Sequence, residues 1–133
     1  MIDHISVPVK SFEKSREFYD KTLAILGYER VLNVEDTSYQ WAGYGIDGMP
    51  SFEICFRKDI TYEDIGKIAG LHVAFRAPTV EAVHQWYEKS LELGGIDNGA
   101  PGPRPQYHPG YYGAFIIDPN GWRIEACYQK YQG

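Results

Sequence analysis

The chain has 133 residues, enough for one packed core and too few for two independently folding domains. Its 13 Lys and Arg against 18 Asp and Glu give a formal net charge of -5, which argues against nucleic-acid binding and fits a protein that handles small molecules. No apolar run approaches the roughly 20 residues of a membrane helix. The two cysteines, Cys55 and Cys127, make no disulfide framework and read as reduced thiols of a cytoplasmic protein.

In chain order, residues 2–9 alternate and carry Ile5, Val7 and Val9, the pattern of a strand that starts at once with no signal-peptide pattern before it. Ser11 is an N-cap for a helix with Phe12, Ser15, Tyr19, Leu23 and Leu26 at helical spacing, and Gly27 is its stop. Strands follow at about 29–35, 38–44 and 51–57, with a turn at Asp47-Gly48. Polar residues 58–68 read as a linker. A strand over about 70–76 leads to Thr79, which opens a helix to about Leu93 with Val80, Val83, Tyr87 and Leu91 on one face. Gly94-Gly95 ends it. Residues 97–110 carry Pro101, Pro103, Pro105 and Pro109 and are expected to form a loop with no counterpart earlier in the chain. Strands at about 111–117 and 122–128 close the chain around the turn Asp118-Pro119-Asn120-Gly121.

This order is a repeat. Residues 1–28 and 69–96 follow one plan, and a shift of 68 takes His4 to His72, Tyr19 to Tyr87 and Gly27 to Gly95. The final strands align at a shift of 72, which takes Glu53 to Glu125 and Cys55 to Cys127. The fold class is therefore α+β, two βαβββ modules in one domain over 1–133: about 1–57, the linker, and about 69–133.

Strand alternation assigns faces. Ile5 and Val7 oppose His4 and Ser6, and Ile54 opposes Glu53 and Cys55. Phe75 opposes His72 and Arg76, and Ile124 opposes Arg123 and Glu125. The apolar faces pack on the helices, and each polar face carries one His and one Glu. If the sheets curve toward one another, His4, Glu53, His72 and Glu125 meet in one cavity. Two imidazoles and two carboxylates suit a divalent Zn, Ni, Co, Mn or Fe rather than Ca or Mg, with positions left for water or substrate. Such a metal polarises a carbonyl while a carboxylate moves a proton.

The segments DHISVPVKSFEKSREFYDKTLAILGY, GLHVAF and DPNGWRIEAC resemble the glyoxalase/bleomycin resistance/dioxygenase family, the vicinal oxygen chelate superfamily, over nearly the whole chain. The resemblance implies paired βαβββ modules around a metal cavity, and a homodimer. It places metal ligands at His4, His72 and Glu125. Glu53 matches the fourth ligand of the lyases and epimerases, a position the ring-cleaving dioxygenases leave without a ligand. Pro8 departs from the lactoylglutathione lyase pattern, where a cationic glutathione contact is expected, so glutathione and methylglyoxal are not the expected substrate pair.

Around this constellation, Tyr107, His108, Tyr111 and Tyr112 are candidates for a lid or pocket wall, with His108 as a hydrogen-bond or proton-transfer partner. Arg57, Arg76 and Arg123 share the site-facing parity and are candidates for holding an anionic substrate. His84, within a helix, reads as structural or exposed. The expected activity is that of a metal-dependent lyase or isomerase. Glu53 or Glu125 takes a proton alpha to a carbonyl, and the metal holds the enediolate charge. The alternatives are an Fe(II) ring-cleaving dioxygenase on His4, His72 and Glu125, and a non-enzymatic protein that sequesters a small molecule, as bleomycin resistance proteins do.

Overall fold

The described residues form two four-stranded mixed sheets, each with one helix. The computed structural model describes every residue except 60, 64, 66, 68 and 69, so the expected linker and the first residue of the expected second module lie partly outside the described residues. The chain divides into two units, Met1–Asp64 and Ile65–Gly133.

The first unit runs β1 (Ile5–Pro8), α1 (Phe12–Ile25), β2 (Glu29–Glu35), β3 (Tyr39–Ile46) and β4 (Met49–Arg57). Its sheet order is β1-β4-β3-β2, with β1 parallel to β4 and the other pairs antiparallel. Ser11 caps α1 by accepting from the Lys14 N–H at 3.4 Å. Gly27, at φ 89°, lets the chain turn out of the helix. Asp47 and Gly48 both have positive φ, as a two-residue hairpin turn requires. The helix packs an aromatic core on the sheet: Tyr19 lies 5.0 Å from Phe52 and 6.2 Å from Tyr44, ring centre to ring centre. Each such buried side chain stabilises the fold by roughly 1.5–3 kcal/mol.

The second unit runs β5 (Val73–Arg76), α2 (Val80–Glu92), β6 (Ile96–Pro103), β7 (Tyr112–Ile117) and β8 (Arg123–Tyr128). Its order, β5-β8-β7-β6, repeats that of the first sheet. Thr79 caps α2 by accepting from the Ala82 N–H at 3.0 Å. Gly94, at φ 94°, is the left-handed glycine, one residue before the Gly95 that the repeat pairs with Gly27.

Three expectations are corrected. Residues 97–110 are not all loop. β6 covers Ile96–Pro103 and is the counterpart of β2. It is an edge strand with irregular register at Asp97/Gly99 and Gly99/Gly102, the setting in which a sheet accepts proline. The buried face of α2 is turned by about one residue from the expected one: Ala82, Val83, Trp86 and Ser90 are buried, whereas Leu91 is 37% exposed. The bulk of Trp86, 0% exposed, sets that rotation. Finally, His4 and His72 each sit one residue before their strand, because the ladders begin at Ile5↔Phe52 and Val73↔Ile124.

Candidate metal half-sites

Each unit puts a histidine and a glutamate on the sheet face turned away from its helix. In the first, Phe52 and Ile54 are buried beneath α1 while Glu53 and Cys55 take the opposite face, with Ser6 beside Glu53 in register. In the second, Ile124 and Ala126 are buried, and Glu125 and Cys127 take the other face.

The second half-site is the tighter. His72 Nδ1 lies 3.0 Å from the Gly70 carbonyl, which only accepts, so Nδ1 carries the proton and the Nε2 lone pair is left available. That Nε2 stands 3.2 Å from Oε2 of Glu125. Two nitrogen or oxygen ligands about 2.1 Å from one ion are roughly 3.0–3.4 Å apart, so this pair has the spacing of neighbouring ligands. Glu125 is 1% exposed, and its Oε1 accepts from the Tyr111 hydroxyl. Burial, and then the bond to Glu125, push the Tyr111 hydroxyl well above its ordinary pKa, so it remains a donor.

Residue 113 explains how Tyr111 reaches the carboxylate. Gly113 pairs with Cys127 on β8, and a Cβ there would lie 2.9 Å from Glu125 Oε1 and 3.2 Å from the Tyr111 ring. The absent side chain is the space the pair uses.

The first half-site is more open. His4 Nδ1 lies 2.5 Å from Asp3 Oδ1, again presenting Nε2. The bond to Asp3, and then the charge of Glu53, raise the His4 pKa above its ordinary value. Glu53 Oε2 accepts from the Ser6 hydroxyl at 2.7 Å. Here the cross-strand neighbours are exchanged. Glu53 faces Gly43 and Cys55 faces Trp41, whereas Glu125 faces Phe115 and Cys127 faces Gly113. Burial pushes both cysteine thiols above their ordinary pKa, which keeps them protonated, and both are free.

Among the described residues no cluster of three or more His, Cys, Asp or Glu side chains is formed. Within each half the donor types, one imidazole and one carboxylate, are ones a divalent metal accepts. Each histidine is anchored through Nδ1, and each carboxylate is oriented by a hydroxyl, the supporting contacts that ligands require.

The other candidates are dispersed. His108 accepts from the Gly110 N–H at Nδ1, 3.0 Å away, and pairs through Nε2 with Gln129, so both nitrogens staple the loop. Tyr107 is exposed and packs edge-on against Tyr111. Tyr112 is turned toward α2, where its hydroxyl meets His84 Nε2 at 2.7 Å. Arg57 is tied to Asp59 by contacts of 3.0 and 2.7 Å. Arg76 is exposed and Arg123 half-buried. Sequence reasoning overlooked Ser6, Asp3, Trp41 and Gly113. Ser6 carried a signal, since it shares the parity of His4. Gly113 carried none without the register.

A sequence model of the Glyoxalase/Bleomycin resistance protein/Dioxygenase superfamily matches residues 1–126. Among solved structures, a glyoxalase/bleomycin resistance protein from Albidiferax ferrireducens T118 is 25% identical, with 95% of this chain and 97% of that one covered and a TM-score of 0.73. Glyoxalase I from Zea mays is 21% identical with a TM-score of 0.73; the match covers 96% of this chain and 45% of the maize chain, so this protein spans about half of that enzyme. A glyoxylase/bleomycin resistance protein/dioxygenase domain from Frankia sp. EAN1pec is 15% identical, covers 98% of each chain and has a TM-score of 0.73. The last two show likeness of fold. No curated protein matches the chain. Members of the superfamily commonly use divalent metals and often act on small molecules as dimers. With the repeated sheets, the anchored His/Glu pairs and a match over residues 1–126, the chain belongs to the glyoxalase/bleomycin resistance protein/dioxygenase superfamily.

Proposed function

We propose that this protein is a metal-dependent lyase or isomerase of a small oxygenated molecule, with His4, Glu53, His72 and Glu125 as the metal-holding residues. The observation that carries the reading is the His72–Glu125 pair, 3.2 Å apart, with Nδ1 of the histidine anchored on Gly70. A bound divalent ion supplies Lewis-acid polarisation of a substrate carbonyl.

The remaining work falls to the chain. Glu125 is buried, with Oε1 accepting from Tyr111 and Oε2 3.2 Å from His72 Nε2, which suits a fixed ligand. Glu53 is half-buried and oriented by the exposed Ser6 hydroxyl, which suits the carboxylate that takes a proton alpha to the carbonyl and returns it to the neighbouring carbon. The protein acts as a homodimer in the cytoplasm in this reading.

Elemental analysis of gently purified protein tests the proposal. Stoichiometric divalent metal that is lost in His72→Ala, together with loss of turnover in Glu125→Gln, is the expected result. Full metal content and activity in both variants would sink it.

A further inference from the structure

The first unit holds a cavity of about 480 Å³ on the site-facing side of its sheet. Glu53 and Ser6 lie at one end, Tyr39, Trp41 and Cys55 along the wall, and Arg57 at the other end. The β3–β4 register sets that order: Glu53 opposite Gly43, Cys55 opposite Trp41, Arg57 opposite Tyr39. From Glu53 to Arg57 the strand runs roughly 13 Å, long enough for a two-ring molecule.

The chemistry of the wall is selective. The Tyr39 and Trp41 rings are stacked, with centres 6.1 Å apart and planes 25° from parallel. The Arg57 guanidinium is already held at two points by Asp59. With Lys58 and Glu53 the lining carries two cations and two carboxylates, so it has no net formal charge to draw an anion. Glu53 accepts from Ser6 on Oε2, and a carboxylate has capacity for further donors on its other oxygen. The repeat contains a chemical precedent. At the equivalent strand position of the second unit, Glu125 accepts from a phenol, the Tyr111 hydroxyl, beside the equivalent cysteine.

We propose that this cavity binds a flat, uncharged aromatic ring bearing a hydroxyl group, with the ring on the Trp41–Tyr39 wall and the hydroxyl donating to Glu53. This names a ligand class for the cavity that adjoins the site read above. It rests on that reading in sharing Glu53, but the ring contact itself needs no metal.

Isothermal titration calorimetry on the full chain, as purified and again after chelation, tests it with four probes: 2-naphthol, naphthalene, decahydro-2-naphthol and 2-naphthoate. The expected result is saturable binding of 2-naphthol in both preparations, roughly fivefold or more tighter than the saturated alcohol. It should also exceed 2-naphthoate, whose carboxylate meets Glu53. Trp41→Leu should weaken 2-naphthol by about the same factor. Glu53→Gln should weaken 2-naphthol and leave naphthalene unchanged. The proposal is overturned if no probe binds, if the saturated alcohol or the naphthoate matches 2-naphthol, or if binding vanishes on chelation. The probe ranking on the unaltered chain decides the matter should a variant fail to fold. A protein that binds 2-naphthol but no metal keeps this inference and loses the metal reading; one that binds metal but no ring does the reverse.

Discussion

Tyr111 donates its hydroxyl to Oε1 of Glu125, leaving Oε2 of the same buried carboxylate to face His72 Nε2 at 3.2 Å. One tyrosine thus decides which carboxylate oxygen is presented to the histidine. Removing the hydroxyl in Tyr111→Phe leaves a buried acceptor short of a partner, at a cost of about 1–3 kcal/mol in urea unfolding. In the metal reading, affinity should also fall by roughly 10–100-fold in a chelator competition. Unchanged stability and affinity would show that Glu125 is positioned by other contacts.

Gly113→Ala should copy that phenotype without removing a polar group. The added Cβ falls 2.9 Å from Glu125 Oε1, which must shift, and 3.2 Å from the Tyr111 ring, which must give by a few tenths of an ångström. Overpacking of this kind costs about 1–3 kcal/mol. A double-mutant cycle with Tyr111→Phe should show strong non-additivity, since both changes disturb one contact. Simple additivity would contradict the shared geometry.

Alkaline unfolding should report on Tyr44. Burial, and then the neighbouring Asp20 carboxylate, raise its hydroxyl well above the ordinary pKa of 10.0. Its bond to Asp20 is 3.0 Å. In the folded chain the phenol keeps its proton at a pH where the unfolded chain has lost it. The native state then binds more protons, so this contribution is intact below pH 10 and declines as pH rises beyond it. Tyr44→Phe should be less stable near neutrality, with a shallower loss above pH 10 by circular dichroism. Equal slopes would remove Tyr44 as the cause.

Metal should stabilise the fold if the half-sites bind it. A free ion at about 100 times its Kd adds roughly 2.7 kcal/mol. The thermal midpoint should therefore rise with Zn or Ni and fall back on chelation. His4→Ala should blunt the rise. A midpoint indifferent to every divalent ion would count against the ligand set.

Much of the fold was legible because it is written twice. The Ser11 and Thr79 caps, the helix spacing of α1 and the Asp47-Gly48 turn rest on local chemistry, and all are present. Parity also placed Glu53 and Glu125 on the faces they occupy, because alternation survives wherever one side of a strand is buried. The α2 face was misjudged because Tyr87 and Leu91 fit a helical stripe as well as Trp86 does, and only packing distinguishes them. β6 was hidden by its prolines, which forbid a central strand but not an edge one. The contacts that orient Glu125 were not legible at all. Tyr111 and Glu125 meet across a strand pair through the gap at Gly113, and nothing in their spacing announces it.

Pro101 and Pro103 have a consequence beyond that misreading. β6 forms the outer rim of its sheet, and a rim with intact amide donors is a template on which a stray chain can add as another strand. Two residues without an N–H, together with the register breaks at Gly99 and Gly102, leave that template with gaps. The segment therefore guards the protein against edge-to-edge aggregation. Replacing these prolines with β-formers would be expected to compromise solubility before it affected chemistry.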